Sequence, residues 1–226
     1  MTTTKPSLKD ITVAVPRPLP VLLLLDVSGS MAEDGKLAAL NTAVRDMLHT
    51  FTQEQAGGAE IHVAVLAFSG REARVHVPLK PAREVKFDAL EAKGHTPIGS
   101  ALTLTTQILE NRDLVPGRAY RPTVVLVSDG VPTDDWEGPL DRLLSSARAS
   151  KAVRLALAVG EDADLEVLTR FAGEDHVRRA PEARQLRRFF KFVTMSVTAR
   201  SRSATPDQVV ALPDLGTDDG FDDLDL

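Results

Sequence analysis

The sequence predicts an α/β protein with a doubly wound, mostly parallel central sheet, one antiparallel edge strand and helices on both faces. Three observations carry that expectation. Apolar runs without alternation recur at Pro20–Leu25, Ile61–Phe68, Pro122–Val127 and Arg154–Val159, and such runs are typical of strands buried on both faces. Most are separated by segments with apolar residues at three- and four-residue steps, the pattern of a helix with one buried stripe. The exception is Ile61–Phe68 followed by Ala73–Val77, with Ser69-Gly70 between them. That gap is too short for a helical crossover, so the pair reads as a hairpin whose second strand lies at the sheet edge.

The elements follow in order. Residues 1–9 read as disordered, and Ile11–Val15 as a short strand or extended arm before Pro16, Pro18 and Pro20. The first core strand runs into Asp26. Gly35–Phe51 is a helix with Leu37, Leu40, Val44, Met47, Leu48 and Phe51 in one stripe, ended by Gln55–Gly58. The hairpin follows. Pro81–Ala92 is ambiguous, with one short helix expected around Asp88 and Leu90. Gly94-His-Thr-Pro-Ile-Gly99 marks a loop of fixed shape, and a helix over Ser100–Asn111 comes next. Pro122–Ser128 is a strand, Gly138–Ala152 a helix, Arg154–Val159 a strand and Asp164–Phe171 a short helix. His176–Ala180 is expected as an edge strand. Pro181 suits a first helical position, opening a helix with Leu186, Phe189, Phe190, Val193 and Val197 inward. Arg184, Arg187, Arg188 and Lys191 make its other side a solvated basic face. Gln208–Leu212 reads as a last short strand.

Composition narrows the function classes. A chain of 226 residues with 43% hydrophobic residues supports one large core. The absence of Cys excludes disulfides, thiolate metal sites and Cys nucleophiles. No leader-like apolar segment opens the chain and no run reaches transmembrane length, so a cytoplasmic protein without membrane insertion is expected. The net charge of −5 argues against nucleic acid as the partner. Six Asp lie between Asp214 and Asp225, so the acidity is concentrated in that tail.

The chemistry is concentrated after the first strand. Asp26 ends it, and Ser28 and Ser30 follow at alternate positions around Gly29. One carboxylate and two hydroxyls aimed into a small space suit a hard cation such as Mg2+. The string Asp26-Val-Ser28-Gly-Ser30-Met31 resembles the first motif of von Willebrand factor A (vWA) domains, which opens their metal-ion-dependent adhesion site. The loop around Thr96-Pro97-Ile98-Gly99 resembles the second motif, whose Thr is a direct metal ligand. Val127-Ser128-Asp129-Gly130 resembles the third, whose Asp completes the site, usually through water. A helix-capping role is the bland alternative for Thr96.

The resemblance implies a metal site of Asp26, Ser28, Ser30, Thr96 and Asp129, holding Mg2+, with Mn2+ and Ca2+ as alternatives. It implies a protein partner that offers Asp or Glu to the ion. Arg17–Pro20, Tyr120–Thr123, Pro132–Trp136 and Ser201–Ser203 resemble the bacterial TerY-like branch associated with tellurite-resistance clusters. That likeness implies a stress-response setting and a kinase-like or PP2C-type phosphatase protein as partner. The expected division is an arm over 1–16, a vWA domain over 17–200, an extension over 201–213 and an acidic tail over 214–226. The tail reads as disordered, with a docking peptide as the alternative.

Enzymatic readings are weaker. No Walker A loop, GxGxxG turn or GxSxG elbow occurs. The second Asp of an Asp-x-Asp phosphotransferase pattern is Ser28 here. Ser28 and Ser30 lack an evident base other than His95, and no His pair has zinc-ligand spacing. His62 and His76 read as structural. A non-enzymatic binding module is expected, with a metal-dependent phosphotransferase or a scaffold with an unused metal site as alternatives.

Overall fold

The structure, a computed structural model, describes residues 16–54 and 59–208. The expected arm over Ile11–Val15, the turn at Gln55–Gly58 and the acidic tail lie outside the described residues, as does the expected last strand apart from Gln208.

Among the described residues six strands form one sheet: β1 (Arg17–Asp26), β2 (Ala59–Ser69), β3 (Glu72–Pro81), β4 (Thr123–Ser128), β5 (Val153–Val159) and β6 (Val177–Ala180). Their order is β3-β2-β1-β4-β5-β6, and only the β2–β3 pair is antiparallel. The sheet is therefore the doubly wound one expected, with the hairpin at one edge. Five helices among the described residues cover it: α1 (Lys36–Gln53), α2 (Ile98–Glu110), α3 (Glu137–Ser145), α4 (Leu165–Ala172) and α5 (Ala183–Arg202).

The unalternating run in β1 now has its cause. Leu19, Val21, Leu23 and Leu25 enter the core under α1 and α5, whereas Leu22 and Leu24 enter the core under α2, α3 and α4. A central strand covered on both faces has no polar side to show. Each fully buried leucine contributes about 2 kcal/mol relative to an exposed one. None of the described helices is long and apolar enough to cross a membrane.

Three local expectations are corrected. No helix forms around Asp88 and Leu90, where the chain is irregular after a 3-10 turn at Ala82–Glu84. Asn41 of α1 explains it: its side chain donates to the Leu90 carbonyl at 3.1 Å and accepts the Leu90 N–H at 2.8 Å. These bonds satisfy the backbone without a helix. The helix expected to reach Ala152 stops at Ser145, and a separate 3-10 turn spans Ala149–Lys151. There the Glu110 carboxylate takes the N–H groups of Arg148 and Ala149, at 2.8 and 2.9 Å. Pro181 precedes the last helix, which Glu182 opens with a capping box to Gln185.

The β3 edge is irregular and partly covered. Its register with β2 shifts between Val63 and Leu66. The Ala73 N–H donates to Ser100 Oγ at 2.8 Å, and His76 meets the Asp88 carbonyl and the Phe87 ring. His62 bonds Glu60 at 2.8 Å, so both strand histidines have structural contacts.

At the opposite end of the sheet from the Asp26 loop, Arg200 ties α5 to the start of β4. It donates to Thr123 Oγ1 at 2.6 Å and to the carbonyls of Arg121 and Pro206, both at 2.7 Å. Burial pulls its pKa down to about 10. The chain thus passes residue 200 without a break and folds back on the domain. Arg200→Ala is expected to destabilise the protein by about 3 kcal/mol, because several buried acceptors lose their donor together. A shift in the urea midpoint at unchanged slope is the measurement.

Candidate metal centre

Parallel strands present their carboxyl ends together, and two of the central ones, β1 and β4, end in the residues of interest. Open α/β sheets bind ligands at such a position. Asp26 closes β1 and is fully buried. One carboxylate oxygen accepts the Ser28 N–H at 2.8 Å and the other accepts the Ser128 hydroxyl at 2.6 Å. Asp26 therefore stitches the β1 loop to the end of β4. Burial outweighs these bonds, with the Asp129 charge adding to it, and pushes the Asp26 carboxyl up to about 6.

The next residues form a continuous chain of polar contacts. Ser28 Oγ and Ser30 Oγ lie 3.1 Å apart, and the Ser30 hydroxyl donates to Asp129 Oδ1 at 2.7 Å. Lys36 Nζ donates to Asp129 Oδ2 at 2.9 Å. Asp26, Ser28, Ser30 and Asp129 are thus brought together at the carboxyl ends of β1 and β4.

Thr96 arrives from the loop before α2. It does not cap that helix, whose N-cap is Pro97 with no side-chain cap bond. Instead its backbone pairs with Thr133: the Thr96 N–H reaches Thr133 Oγ1 at 3.1 Å, and the Thr133 N–H reaches the Thr96 carbonyl at 3.0 Å. Its hydroxyl stands 3.4 Å from where a Cβ on Gly130 would be, which places it beside Asp129. The Gly29 N–H donates to the Gly94 carbonyl at 2.9 Å, joining the first loop to the second. Gly94 has φ +75° and packs so closely on Gly70 that a Cβ would meet Gly70 backbone at 2.8 Å. Asp134 fixes the start of α2 by accepting the N–H groups of Gly99 and Ser100, at 2.9 and 2.8 Å.

Two of these residues escaped the sequence reading. Ser128 was visible only as the last residue of a strand. Lys36 carried a subtler signal: a lysine as the first residue of a helix works against the helix dipole, so its placement asks for a partner.

The donor set fits a hard divalent ion. Two buried carboxylates, Asp26 and Asp129, share one bonded ammonium, Lys36, which leaves the site short of positive charge. Among the described residues no group of three or more His, Cys, Asp or Glu could hold a metal. The set is thus built from neutral hydroxyls plus two acids, all oxygen. A cleft of about 530 Å³ lies elsewhere, lined by Leu109, Val115, Tyr120, Arg148 and Lys151 among others, and none of the five expected ligands lines it.

Arg17, Tyr120 and Trp136 make structural contacts. Arg17 stacks on Tyr120 at 3.9 Å, and the Tyr120 N–H meets the Pro18 carbonyl at 2.8 Å. Trp136 packs under Arg170, 4.7 Å from guanidinium carbon to ring centre.

Comparison with known proteins agrees with this geometry. Residues 21–131 match the model of the von Willebrand factor type A domain. The human inter-alpha-trypsin inhibitor heavy chain H6 is 27% identical over 83% of this chain, which spans only 16% of that protein's length. A von Willebrand factor type A structure from Catenulispora acidiphila aligns with TM-score 0.61 at 23% identity, covering 83% of this chain and 43% of that one. Proximal thread matrix protein 1 from the mussel byssus, solved with a zinc-occupied MIDAS motif, aligns with TM-score 0.59 at 14% identity, covering 81% and 48%. The sheet order and the three converging loops agree with these matches: over residues 21–131 the chain is similar to the von Willebrand factor type A domain, and its fold is that of the solved structures.

Proposed function

We propose that the domain is a metal-dependent protein-interaction module that captures an Asp or Glu of its partner. The observation that supports this most directly is the hydroxyl–carboxylate chain from Ser28 through Ser30 to Asp129, backed by the buried Asp26. In this reading Ser28, Ser30 and Thr96 offer hydroxyl oxygens to the ion and Asp129 offers charge. Asp26 orients the Ser28 backbone and the Ser128 hydroxyl. A bound Mg2+, Mn2+ or Ca2+ supplies Lewis acidity and a coordination position for the incoming carboxylate. Val131, next to Gly130 and 61% exposed, gives the partner an apolar contact beside that carboxylate.

The site binds rather than transforms. Among the described residues no imidazole hydrogen-bonds Ser28 or Ser30, whose hydroxyls face each other and Asp129. The purified protein is expected not to hydrolyse a generic phosphoester; steady turnover abolished by Asp26→Ala would replace this reading with a phosphotransferase one. The likeness to the TerY-like branch supports a cytoplasmic stress-response role of the tellurite-resistance type. It makes a kinase-like or PP2C-type phosphatase protein the first partner to test.

The deciding experiment is a pull-down from a lysate of the source cells in Mg2+ and in EDTA, with wild type and Asp26→Ala. Partners retained only by wild type in Mg2+ are expected. Retention that ignores both EDTA and the substitution would sink the proposal.

A further inference from the structure

We propose that Lys36 is a built-in counter-ion that keeps the divalent affinity of this site low and so couples metal loading to carboxylate capture. This rests on the metal-site reading above and adds the regulation of the same site.

The argument starts from where the lysine stands. Lys36 is the first residue of α1, where the unpaired N–H groups already create positive potential and a cation is disfavoured. Lysines normally extend their ammonium into water. This side chain is only 14% exposed, and its Nζ lies 2.9 Å from Asp129 Oδ2 on a side chain with no exposure at all. The surroundings are shaped to admit it. Gly160, just after β5, has φ +71°, and a Cβ there would stand 3.5 Å from Lys36 Nζ and 3.6 Å from Cε. The ammonium is therefore lodged between the ends of β4 and β5, against one of the expected metal ligands.

Two consequences follow from its charge. Lys36 and the Ser30 hydroxyl together hold both oxygens of Asp129. An arriving divalent ion meets a site carrying about one net negative charge instead of two, with a fixed ammonium at short range. Affinity for the ion alone falls accordingly. Once the ion is held, the same ammonium leaves the site with a surplus of positive charge, which favours an anionic ligand. Lys36 thus weakens the first event and strengthens the second, and linkage makes each ligand raise the affinity for the other.

The test uses the metal alone. Mn2+ is titrated calorimetrically into the full chain, stripped with EDTA and dialysed, as wild type, Lys36→Met and Lys36→Arg. Lys36→Met is expected to bind Mn2+ about tenfold more tightly, a gain worth about 1.4 kcal/mol. It should melt earlier than wild type in EDTA and no earlier in saturating Mn2+. Lys36→Arg should keep the weak wild-type affinity. A purely structural role predicts the opposite sign, since a disturbed ligand loop binds metal less well. Lys36→Gln, which keeps a donor for Asp129 without the charge, carries the same expectation if the Met variant does not fold. Equal or weaker Mn2+ binding by the neutral variants, with binding by wild type intact, overturns this inference alone. Absence of Mn2+ binding in every protein overturns it together with the metal-site reading.

Discussion

Asp26→Asn is expected to lower divalent-cation affinity about 100-fold while the metal-free protein at neutral pH melts no earlier than wild type. The two halves have one cause. Asp26 is fully buried, and its two oxygens already accept the Ser28 N–H and the Ser128 hydroxyl. An asparagine keeps the shape, accepts the first bond and donates the second, because a hydroxyl can reverse its role. What disappears is the charge. Residues that orient metal ligands typically change affinity by about 10–100-fold, and here a full charge is removed as well.

The pH dependence fixes the sign for the metal-free state. A carboxyl whose folded pKa is about 6 rather than 3.8 holds its proton more tightly when folded. The contribution of this group to stability therefore falls as pH rises from about 4 through about 6, by on the order of 3 kcal/mol. The Asn variant should lack that loss, so the wild-type-minus-variant stability difference measured by calorimetry in EDTA should fall, becoming more negative, between pH 4 and pH 7. Saturating metal should reverse the wild-type trend, since the ion competes with the same proton. Unchanged metal affinity in the variant would show that Asp26 plays no part in the site.

Gly99→Ala is the second large effect. A Cβ at this position would lie 1.9 Å from the Asp135 carbonyl oxygen and 2.8 Å from its carbon. Both contacts are backbone, so no side chain can turn away. Either α2 or the segment after β4 must move, and these carry Thr96 and Asp129. A loss of at least about 3 kcal/mol is expected from such overpacking, with Mg2+ binding lost in the same variant. Gly35→Ala is the control: φ is +70° there but nothing lies within 4 Å, so the cost is the left-handed backbone alone, about 1 kcal/mol. Equal urea midpoints for the two variants would contradict this account.

The sheet and the loops that meet at its carboxyl end were legible in the sequence because their determinants are local. An unalternating apolar run such as Val21–Leu25 states that both faces of the strand are covered. Asp26, Ser28 and Ser30 declare themselves by spacing, and Thr96 and Asp129 by the strand or helix beside them. What escaped was set across long separations. Asn41 satisfies the backbone of Leu90 from 49 residues away, so composition suggested a helix where a side chain had replaced one. Glu110 ends the segment before Ala149 from another helix. Lys36 reads locally as one more charged residue at a helix start, and only the fold reveals that its ammonium points inward to Asp129.

The two outer strands also bear on how copies of this molecule meet. A free strand edge is a template onto which another chain can add its own strand. On one side that edge is β3. Pro78 and Pro81 offer no N–H, the Ala73 N–H is taken by Ser100, and the pairing with β2 is out of step near Val63. The chain around Phe87 and Asp88 lies against His76. On the other side β6 has only four residues, too few for a lasting strand pair. Edge-to-edge stacking into sheets that continue from molecule to molecule is thereby discouraged on both sides.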